Sequence, residues 1–313
     1  MPSAPQRLLK ARDRTLELGT RPLVMGILNA SPDSFSDAGA YRDAGARLRR
    51  GEELLAAGAD LIDVGGESGV TIGSAVDPRE EIERVVPLVE HLAGLGALVS
   101  VDTYKATVAR AAIEAGASMI NDPSGLIEPE LARACADSGV ALVVTHTRAR
   151  PKQRLGDPRY ADVTEDVKRL LRARVRQARS LGVEDERILL CPGPDLGKEP
   201  AQTIELLRRM DQLHELGRPL LLAVSRKDFV GALVSRPPRE RLAGTLAAVA
   251  HVVAHGAHVL RLHDVAEARD FLTVYAALRG ELEVAPRLRL AEGLRREPHG
   301  KVRSLPTAKE AGA

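Results

Sequence analysis

The stretch that decides the fold is Ala97–Asp122, "ALVSVDTYKATVARAAIEAGASMIND". It opens with an apolar run that ends at Asp102, continues with a helical pattern, and finishes with a second apolar run that ends at Asn121 and Asp122. Gly116 stands between the helix and the second run, where a residue in the left-handed conformation commonly ends a helix. The stretch is therefore predicted to be a strand, a helix and a second strand parallel to the first.

The same pattern recurs along the chain. Short apolar runs, each followed by a helical segment, begin at Leu23, Leu61, Ala97, Met119, Ala141, Ile188, Leu220 and His258. Near-continuous runs of Val, Ile and Leu are typical of parallel strands that are buried on both faces. The helical pattern is clearest after Asp77, which can cap a helix whose first turn contains Pro78. Eight such units predict a single α/β domain, a (β/α)8 TIM barrel, rather than a doubly wound sheet.

The two ends of the chain differ from the middle. Residues 1–20 show a short basic helical pattern and are interpreted as an N-terminal extension. Residues 21–280 are assigned to the barrel, and residues 281–313 to a basic C-terminal tail. Both ends are interpreted as solvated segments, with a basic patch for an acidic partner as the alternative.

Composition narrows the classes of function. The 313 residues carry a formal net charge of +2, contain only 2% aromatic residues and lack Trp, which disfavours nucleic-acid binding. The two cysteines, Cys135 and Cys191, are too few for a disulfide framework, and no apolar segment resembles a signal peptide or a membrane span. We expect a cytoplasmic protein that binds neither nucleic acid nor membrane.

Polar side chains stand at the ends of nearly all the predicted strands, where barrel enzymes hold their reacting groups. They include Asn29, Asp63, Asp102, Asn121, His146, Asp195, Ser225, Arg226, Lys227, Arg261 and His263. Singly, each has an ordinary structural explanation, such as a helix cap or a hydrogen-bonded core histidine. Together they favour a functional site, because burying so many polar groups without a ligand would be costly.

The charges at these strand ends sort by type. The last two strands supply Lys227, Arg261 and His263, in the region where barrels commonly bind phosphate, and Ser225 adds a hydroxyl. Asp102 and Asn121 come from the middle strands and suit the edge of a polar heterocycle. The sequence thus predicts an anion held beside a heterocycle.

The strand-end motifs resemble those of the dihydropteroate synthases over residues 22 to about 280. The motifs "MGILNASPDSFSDAG" at 25–39, "LIDVGGES", "SRKDFVG", "RLAGTLAA" and "VLRLHDV" occur in the family's order. The resemblance implies a transferase of folate biosynthesis that joins 6-hydroxymethyl-dihydropterin pyrophosphate to p-aminobenzoate. It also implies Mg²⁺ on the departing pyrophosphate, and a homodimer with residues 241–256 as the candidate interface.

The resemblance assigns roles to individual residues. Asp102, Asn121 and Lys227 would be the catalytic residues, with the first two gripping the pterin, and Asn29 would hold the metal. Arg261 and His263 would take the phosphate oxygens. The substrate-binding set is Asp33, Ser34, Phe35, Asp63, Asp195, Ser225, Arg226, Arg261 and His263.

Two departures from the family concern the pterin and its pyrophosphate. Val70 stands where the family has an arginine that reaches the pyrophosphate, so a bidentate phosphate contact is lost. Cys191 stands where the family has an aspartate that receives the N–H groups of the pterin. A neutral thiol cannot replace two carboxylate oxygens, so either a pterin binds more weakly or Asp195 substitutes for that acceptor.

Two further departures lie on the same rim. Asp228 replaces a serine at a helix start near the carboxylate of p-aminobenzoate, and it is expected to repel that carboxylate and to fill the helix end itself. Thr145 and Thr147 replace two methionines that contact the pterin. Four changes on one rim indicate an altered substrate.

Three functions stay open at this point. The chain is a working dihydropteroate synthase, a divergent paralogue that uses a different amine, pterin or phosphorylated ligand, or a non-catalytic ligand-binding protein. The retained polar residues at the strand ends favour catalysis over a bare scaffold. The changes at Val70 and Cys191 favour an altered substrate over the family reaction.

Overall fold

The structure is a computed structural model that describes residues 4–31, 44–67, 74–153 and 155–294. Four residues named above, Asp33, Ser34, Phe35 and Val70, lie outside this part of the chain. Their assigned roles therefore stay predictions.

Eight parallel strands form the predicted barrel. They are β3 (Leu23–Asn29), β4 (Leu61–Gly65), β5 (Leu98–Asp102), β6 (Met119–Asp122), β7 (Ala141–Thr145), β8 (Ile188–Cys191), β9 (Leu221–Leu222) and β10 (Val259–Leu262), preceded by β1 (Arg7–Ala11) and β2 (Arg14–Leu18). Their order in the sheet is β8-β7-β6-β5-β4-β3-β10-β9. A bridge between Leu190 and Leu220 joins the two edge strands and nearly closes the sheet, which confirms the barrel.

Helices follow the strands. They are α1 (Ala44–Ala56), α2 (Pro78–Gly94), α3 (Ala106–Glu114), α4 (Pro129–Ser138), α5 (Val163–Ser180), α6 (Pro200–Arg208), α7 (Asp228–Val234), α8 (Leu242–Ala254) and α9 (Val265–Leu278). As predicted, Asp77 caps α2 by accepting the N–H of Arg79, and Pro78 is its first residue. Short 3-10 turns lie at Asp185–Arg187, Met210–Leu216, Pro238–Glu240 and Glu292–Leu294.

The helical pattern predicted for residues 1–20 is wrong, because β1 and β2 form an antiparallel hairpin there. Leu9, Ala11 and Leu18 alternate with exposed or half-buried residues and are buried in the cluster that fills the N-terminal end of the barrel. Alternation with a period of two places those three side chains on one face. The hairpin is thus part of the core rather than a solvated extension.

The barrel interior changes character along each strand. Met25, Leu61, Leu98, Met119 and Val259 belong to the apolar cluster beneath the hairpin. Residues two positions apart on a strand point to the same side. The residues two positions beyond Leu61, Met119 and Val259 therefore also face inward, and those residues carry polar side chains: Asp63, Asn121 and Arg261.

The chain divides into two units, Met1–Phe271 and Leu272–Ala313. The barrel strands lie in the first unit. The described part of the second unit holds the end of α9 and a segment whose residues from 281 to 291 are exposed. Within the described residues, none of the helices has the length and apolar character needed to cross a membrane.

Candidate active site

A partly buried charge cluster lies at the carboxyl ends of β4, β5, β6 and β10. The Arg261 guanidinium donates from Nε to Oδ2 of Asp63 at 2.5 Å and from Nη2 to Oδ2 of Asp102 at 2.7 Å. Asn121 Nδ2 donates to the same Asp63 oxygen at 3.0 Å. The structure therefore brings four of the predicted site residues into direct contact, although they come from four different strands.

The cluster combines one guanidinium with two carboxyl groups, and burial and charge shift the pKa of Asp102 and of Arg261. Burial, opposed by Arg261 and reinforced by the charge of Asp63, raises the pKa of Asp102 to about 7. The two carboxylates raise the pKa of Arg261 against the effect of burial. The second oxygen of Asp63, Oδ1, is buried and has no hydrogen-bond partner among the described residues, so it stays open to a ligand N–H.

The strands end at the barrel mouth, the open end of the barrel formed by their carboxyl ends. Ser225 and His263 contact each other on the side of the mouth next to this cluster. The Ser225 Oγ accepts the backbone N–H of His263 at 3.2 Å and lies 2.9 Å from its Nδ1. Burial together with Arg226, Arg261 and Lys227 lowers the pKa of His263 to about 3, so this imidazole is neutral at physiological pH. The structure thus brings these two predicted site residues into contact, a pairing that the sequence did not indicate.

The Lys227 ammonium acts on this region through its charge, which lowers the pKa of both Cys191 and His263. Burial nonetheless raises the pKa of the Cys191 thiol, and Thr145 hydrogen-bonds to its sulfur, so Cys191 is a neutral, buried group. The contrast with an aspartate at this position is therefore as large as the sequence indicates.

Arg226 is engaged differently from its neighbour Lys227. Its Nε donates to Asp264 Oδ2 at 3.1 Å, and its Nη2 donates to Oδ1 of the same residue at 2.5 Å. Its backbone has a positive φ of 56°, and its N–H donates to Thr245 Oγ1 at 3.0 Å. These contacts anchor the turn after β9, and the role of Arg226 in binding substrate stays a prediction.

The expectation that Asp228 fills its own helix end is wrong. The first two backbone N–H groups of α7, those of Asp228 and Phe229, donate to Asp195 Oδ2 at 2.6 and 3.2 Å. The Asp228 carboxylate instead accepts from Arg241 Nη1 at 2.9 Å and is 84% exposed. Asp195, at a positive φ of 62°, is thus the anion at the start of α7.

Asp195 keeps one oxygen available. Its Oδ1 is buried and has no hydrogen-bond partner among the described residues. The prediction that Asp195 replaces the acceptor lost at Cys191 therefore depends on that single oxygen, because the other oxygen caps α7.

Lys198 and His146 support the loop that carries Asp195. Lys198 Nζ donates to Gly193 O at 2.8 Å and lies 2.8 Å from His146 Nδ1. Burial is the main cause that lowers the pKa of Lys198 to about 7 and that of His146 to about 3. A Cβ on Gly193 would lie 2.0 Å from His146 O, so only glycine fits there. Sequence reasoning missed Lys198, which no local pattern connects to His146.

A second buried ionic group supports the β4 end of the mouth. Lys105 Nζ donates to Glu67 Oε2 at 2.6 Å and to Glu81 Oε2 at 2.5 Å, and Lys152 Nζ lies 3.1 Å from Glu67 Oε1. Although burial opposes it, these contacts raise the pKa of Lys105 and lower that of Glu67. Sequence reasoning also missed Lys105, whose partners lie 24 and 38 residues away.

Asn29 ends β3 and pairs in register with Gly65 of β4. Its side-chain oxygen is a ligand type that Mg²⁺ accepts, together with waters and substrate phosphates. Among the described residues, no group of three or more His, Cys, Asp or Glu side chains could hold a metal. The described residues thus offer no all-protein cage of these side chains, and the magnesium role of Asn29 stays a prediction.

Comparison with known proteins shows which proteins the chain is similar to. Residues 25–263 match the family model described as "Pterin binding enzyme". The dihydropteroate synthase of Escherichia coli strain K12 is 37% identical over 270 residues, which cover 86% of this chain and 95% of that protein.

Solved structures agree with this match. The dihydropteroate synthase of Yersinia pestis, in complex with a sulfonamide drug, superposes with a TM-score of 0.82 at 39% identity, covering 87% of this chain and 99% of that one. The Xanthomonas albilineans enzyme, in complex with 7,8-dihydropteroate, has a TM-score of 0.77 at 40% identity, covering 88% and 99%. The similarity therefore extends over the whole barrel.

Proposed function

This chain belongs to the dihydropteroate synthase family of pterin-binding enzymes, and we propose that it transfers a pterin-methyl group from its pyrophosphate ester to the aryl amine p-aminobenzoate. Pyrophosphate is released, and the product is a dihydropteroate. The reaction forms one C–N bond and breaks one C–O bond.

The observation that carries this proposal is the contact of Arg261 with both Asp63 and Asp102 in the barrel mouth. It gathers hydrogen-bond acceptors for a heterocycle and positive charge for a leaving anion within a single cluster. Asn121 adds an amide that both donates and accepts, and that is already oriented by Asp63.

The chain's side chains supply charge where the reaction develops it. As the amine nitrogen attacks the methylene carbon, the C–O electron pair leaves with pyrophosphate, and positive charge builds on the carbon. Ionised Asp102 stabilises that carbon, and Lys227 with Arg261 stabilises the leaving oxygens. The amine then loses a proton to water or to the departing anion.

His263 serves the leaving group as a neutral donor. The Ser225 hydroxyl accepts the backbone N–H of His263, and in the tautomer that we propose it donates its own proton to Nδ1 of the ring. The imidazole hydrogen then lies on Nε2, where it can donate to a phosphate oxygen. The low pKa of His263 keeps this arrangement through neutral pH.

Magnesium is part of the proposal. Asn29 would hold the ion together with the pyrophosphate of the substrate, and the ion would neutralise negative charge on the leaving group. The chain's own contribution is one oxygen ligand at the end of β3, next to the cationic side of the mouth.

A second candidate function has its own observation. Cys191 is buried and neutral where a carboxylate is expected, which favours a heterocycle with fewer N–H donors than a pterin. In that case the chain is a divergent paralogue with the same bond chemistry on a different substrate. A ligand-binding protein without catalysis is the third outcome that the experiment below separates.

Assembly and location complete the proposal. We infer a homodimer formed through residues 241–256, which include the apolar helix α8, and we place the protein in the cytoplasm. The assignment of residues 21–280 to the barrel and 281–313 to a basic tail also stays a prediction.

The test is an assay of the purified full chain with 6-hydroxymethyl-dihydropterin pyrophosphate, p-aminobenzoate and Mg²⁺. We expect dihydropteroate to form, and the Asp102→Asn variant to lose roughly a hundredfold or more in kcat. Asp211→Asn, on the exposed 3-10 turn outside the mouth, is the matched control and keeps the wild-type rate.

The alternatives give distinct results. Binding of the pterin pyrophosphate without turnover, with any aryl amine, indicates the non-catalytic protein. Turnover that requires another heterocycle or another amine indicates the divergent paralogue. Rescue of a folate-synthesis-deficient bacterium by the gene supports the family reaction in the cell.

A further inference from the structure

A polar cleft lies between the β7–α5 connection and helix α5, and its volume is about 690 Å³. None of Asp63, Asp102, Lys227 or Arg261 lines it. Thr147, one of the two threonines that replace family methionines, is part of its wall. Pockets for small organic ligands commonly have volumes of roughly 300–1,000 Å³, so the cleft has the size of a ligand site.

The cleft carries an excess of positive charge. Its charged lining residues are Arg148, Arg159, Arg169, Arg174, Asp157 and Asp166. Two carboxylates among four guanidinium groups leave two positive charges without compensation from the lining. Leu155, Leu170 and Ala173 supply an apolar surface beside them.

The two carboxylates are committed to three of the arginines. Asp166 accepts from Arg148 Nε at 3.0 Å and from Arg169 Nη2. Asp157 accepts from Arg159 Nε at 3.1 Å, and both of those side chains are largely exposed. Neither acidic residue of the cleft forms an ion pair with Arg174 among the described residues.

Arg174 is held in place, and no described residue forms an ion pair with it. Its Nη1 donates to Gln177 Oε1 at 2.8 Å, and Gln177 Nε2 in turn donates to Leu126 O at 3.2 Å. Its Nε is buried and has no hydrogen-bond partner among the described residues. An oriented guanidinium that has no carboxylate partner among the described residues is a pre-organised group for an oxyanion.

The ligand class follows from these groups. A guanidinium fork matches the geometry of phosphate oxygens, and Arg169, whose side chain is 76% exposed, adds positive charge on the same wall of the cleft. The apolar surface of Leu170 and Ala173 suits an uncharged organic group. We propose that this cleft binds a small organic phosphate monoester, with its phosphate on Arg174 and its organic group on Leu170 and Ala173.

The test uses isothermal titration calorimetry of the full chain with phenyl phosphate and, separately, with inorganic phosphate. We expect saturable binding of phenyl phosphate, and binding of inorganic phosphate that is weaker by roughly tenfold, because it lacks the group that contacts Leu170. Equal affinity for the two ligands would overturn the organic part of the proposal. No saturable binding of phenyl phosphate would overturn the proposal as a whole.

Variants locate the binding. Arg174→Gln is expected to weaken phenyl phosphate binding about tenfold or more, and Arg174→Lys, which keeps the charge but loses the fork, by less. Arg179→Gln is the matched control on the same helix, because Arg179 pairs with Asp185 outside the cleft. It is expected to bind like the wild type.

One more variant separates the cleft from the barrel mouth. His263→Ala removes a predicted phosphate contact in the mouth and should leave phenyl phosphate binding within about twofold of the wild type. Loss of binding in His263→Ala, with retention in Arg174→Gln, assigns the anion to the mouth and overturns the proposal. Circular dichroism and thermal unfolding verify the fold of each variant, and Arg174→Lys carries the test if Arg174→Gln does not fold.

Discussion

The two ends of the barrel are built from the same strands but differ in the side chains that fill their interior. At the N-terminal end, Leu9 and Leu18 of the hairpin belong with Leu61 and Met25 to one buried apolar cluster. At the C-terminal end, the interior position two residues beyond Leu61 is Asp63, a fully buried carboxylate that contacts Arg261. Apolar side chains fill the N-terminal end, and charged side chains contact each other at the C-terminal end.

The difference shows which end limits stability and which end limits activity. The apolar end is stabilised by burial, which is non-directional and tolerates related side chains. The charged end gains little net stability from its ion pairs, because desolvation offsets their attraction, and it is disrupted when one partner is removed. Stability and function are therefore separable by substitutions only about two residues apart on one strand.

The strongest test of this contrast removes one buried charge. Arg261→Met leaves Asp63 buried without its cation, and we expect the free energy of unfolding to fall by about 3–5 kcal/mol, with loss of dihydropteroate formation. Urea denaturation followed by circular dichroism measures the change. A loss below about 1 kcal/mol would mean that Asp63 is protonated or solvated, and that the two ends differ less than the structure indicates.

A second substitution serves as the control for that experiment. Asp63→Asn in the Arg261→Met background removes the uncompensated carboxylate. Stability should recover in part, while activity stays absent, because the charge on the leaving group is no longer stabilised.

The apolar end is probed by Leu9→Ala. The side chain is fully buried beneath the barrel, so we expect the free energy of unfolding to fall by about 2–4 kcal/mol, while kcat/KM per folded molecule stays unchanged. Leu8→Ala is the matched control, because Leu8 is 55% exposed, and it should cost less than about 0.5 kcal/mol. A drop in kcat/KM for Leu9→Ala would show that the hairpin acts on the mouth.

The sequence predicts the barrel well because its signals are local. Continuous apolar runs such as Leu61–Gly65 become buried strands, and Asp77 caps α2 by accepting the N–H of Arg79, two residues away. The hairpin was not predicted because, over so short a segment, Leu8, Leu9, Leu16 and Leu18 fit both the helical period and the strand period of the apolar pattern. Only the barrel surface on which the hairpin packs decides between them.

The sequence predicts which residues form the site but not which of them contact each other. Strand ends place Asp63, Asp102, Asn121 and Arg261 together, because the carboxyl ends of parallel strands lie on one face of a barrel. Which arginine pairs with which acid is not readable from the sequence. Arg226 pairs with Asp264, 38 residues away, and Asp195 caps a helix 33 residues away, and neither contact has a local signal.

Cys191→Asp sharpens the contrast inside the mouth by restoring charge where this chain has none. The new carboxylate would lie near the Lys227 ammonium, so its burial is compensated, and we expect pterin pyrophosphate to bind about tenfold more tightly. Isothermal titration calorimetry gives the affinity. Cys191→Ser, which stays neutral and similar in size, should bind like the wild type, and unchanged binding in both variants would remove Cys191 from the pterin contacts.

The charged end alone is also expected to produce a pH dependence of the reaction. The pKa of Asp102 is raised to about 7, mainly by burial, so the carboxyl is protonated and neutral below that pH and ionised above it. Only the ionised form stabilises a positive methylene carbon. We therefore expect kcat/KM to rise with pH up to a plateau above about pH 7, and to fall about tenfold per unit below it, as a pH series of initial rates would measure.

The fall in kcat/KM below about pH 7, the acidic limb of the profile, is assigned here to Asp102. Variants of two other groups test that assignment. Histidine is the usual source of a limb near neutrality, but the pKa of His263 is lowered to about 3, so His263→Gln should reduce the rate and keep the limb. Lys198 also has a pKa of about 7, and Lys198→Met should likewise keep the limb, because Lys198 contacts His146 rather than the mouth. If either substitution abolishes the limb, the titrating group is not Asp102, and the carboxylate that faces the reacting carbon is already ionised at lower pH.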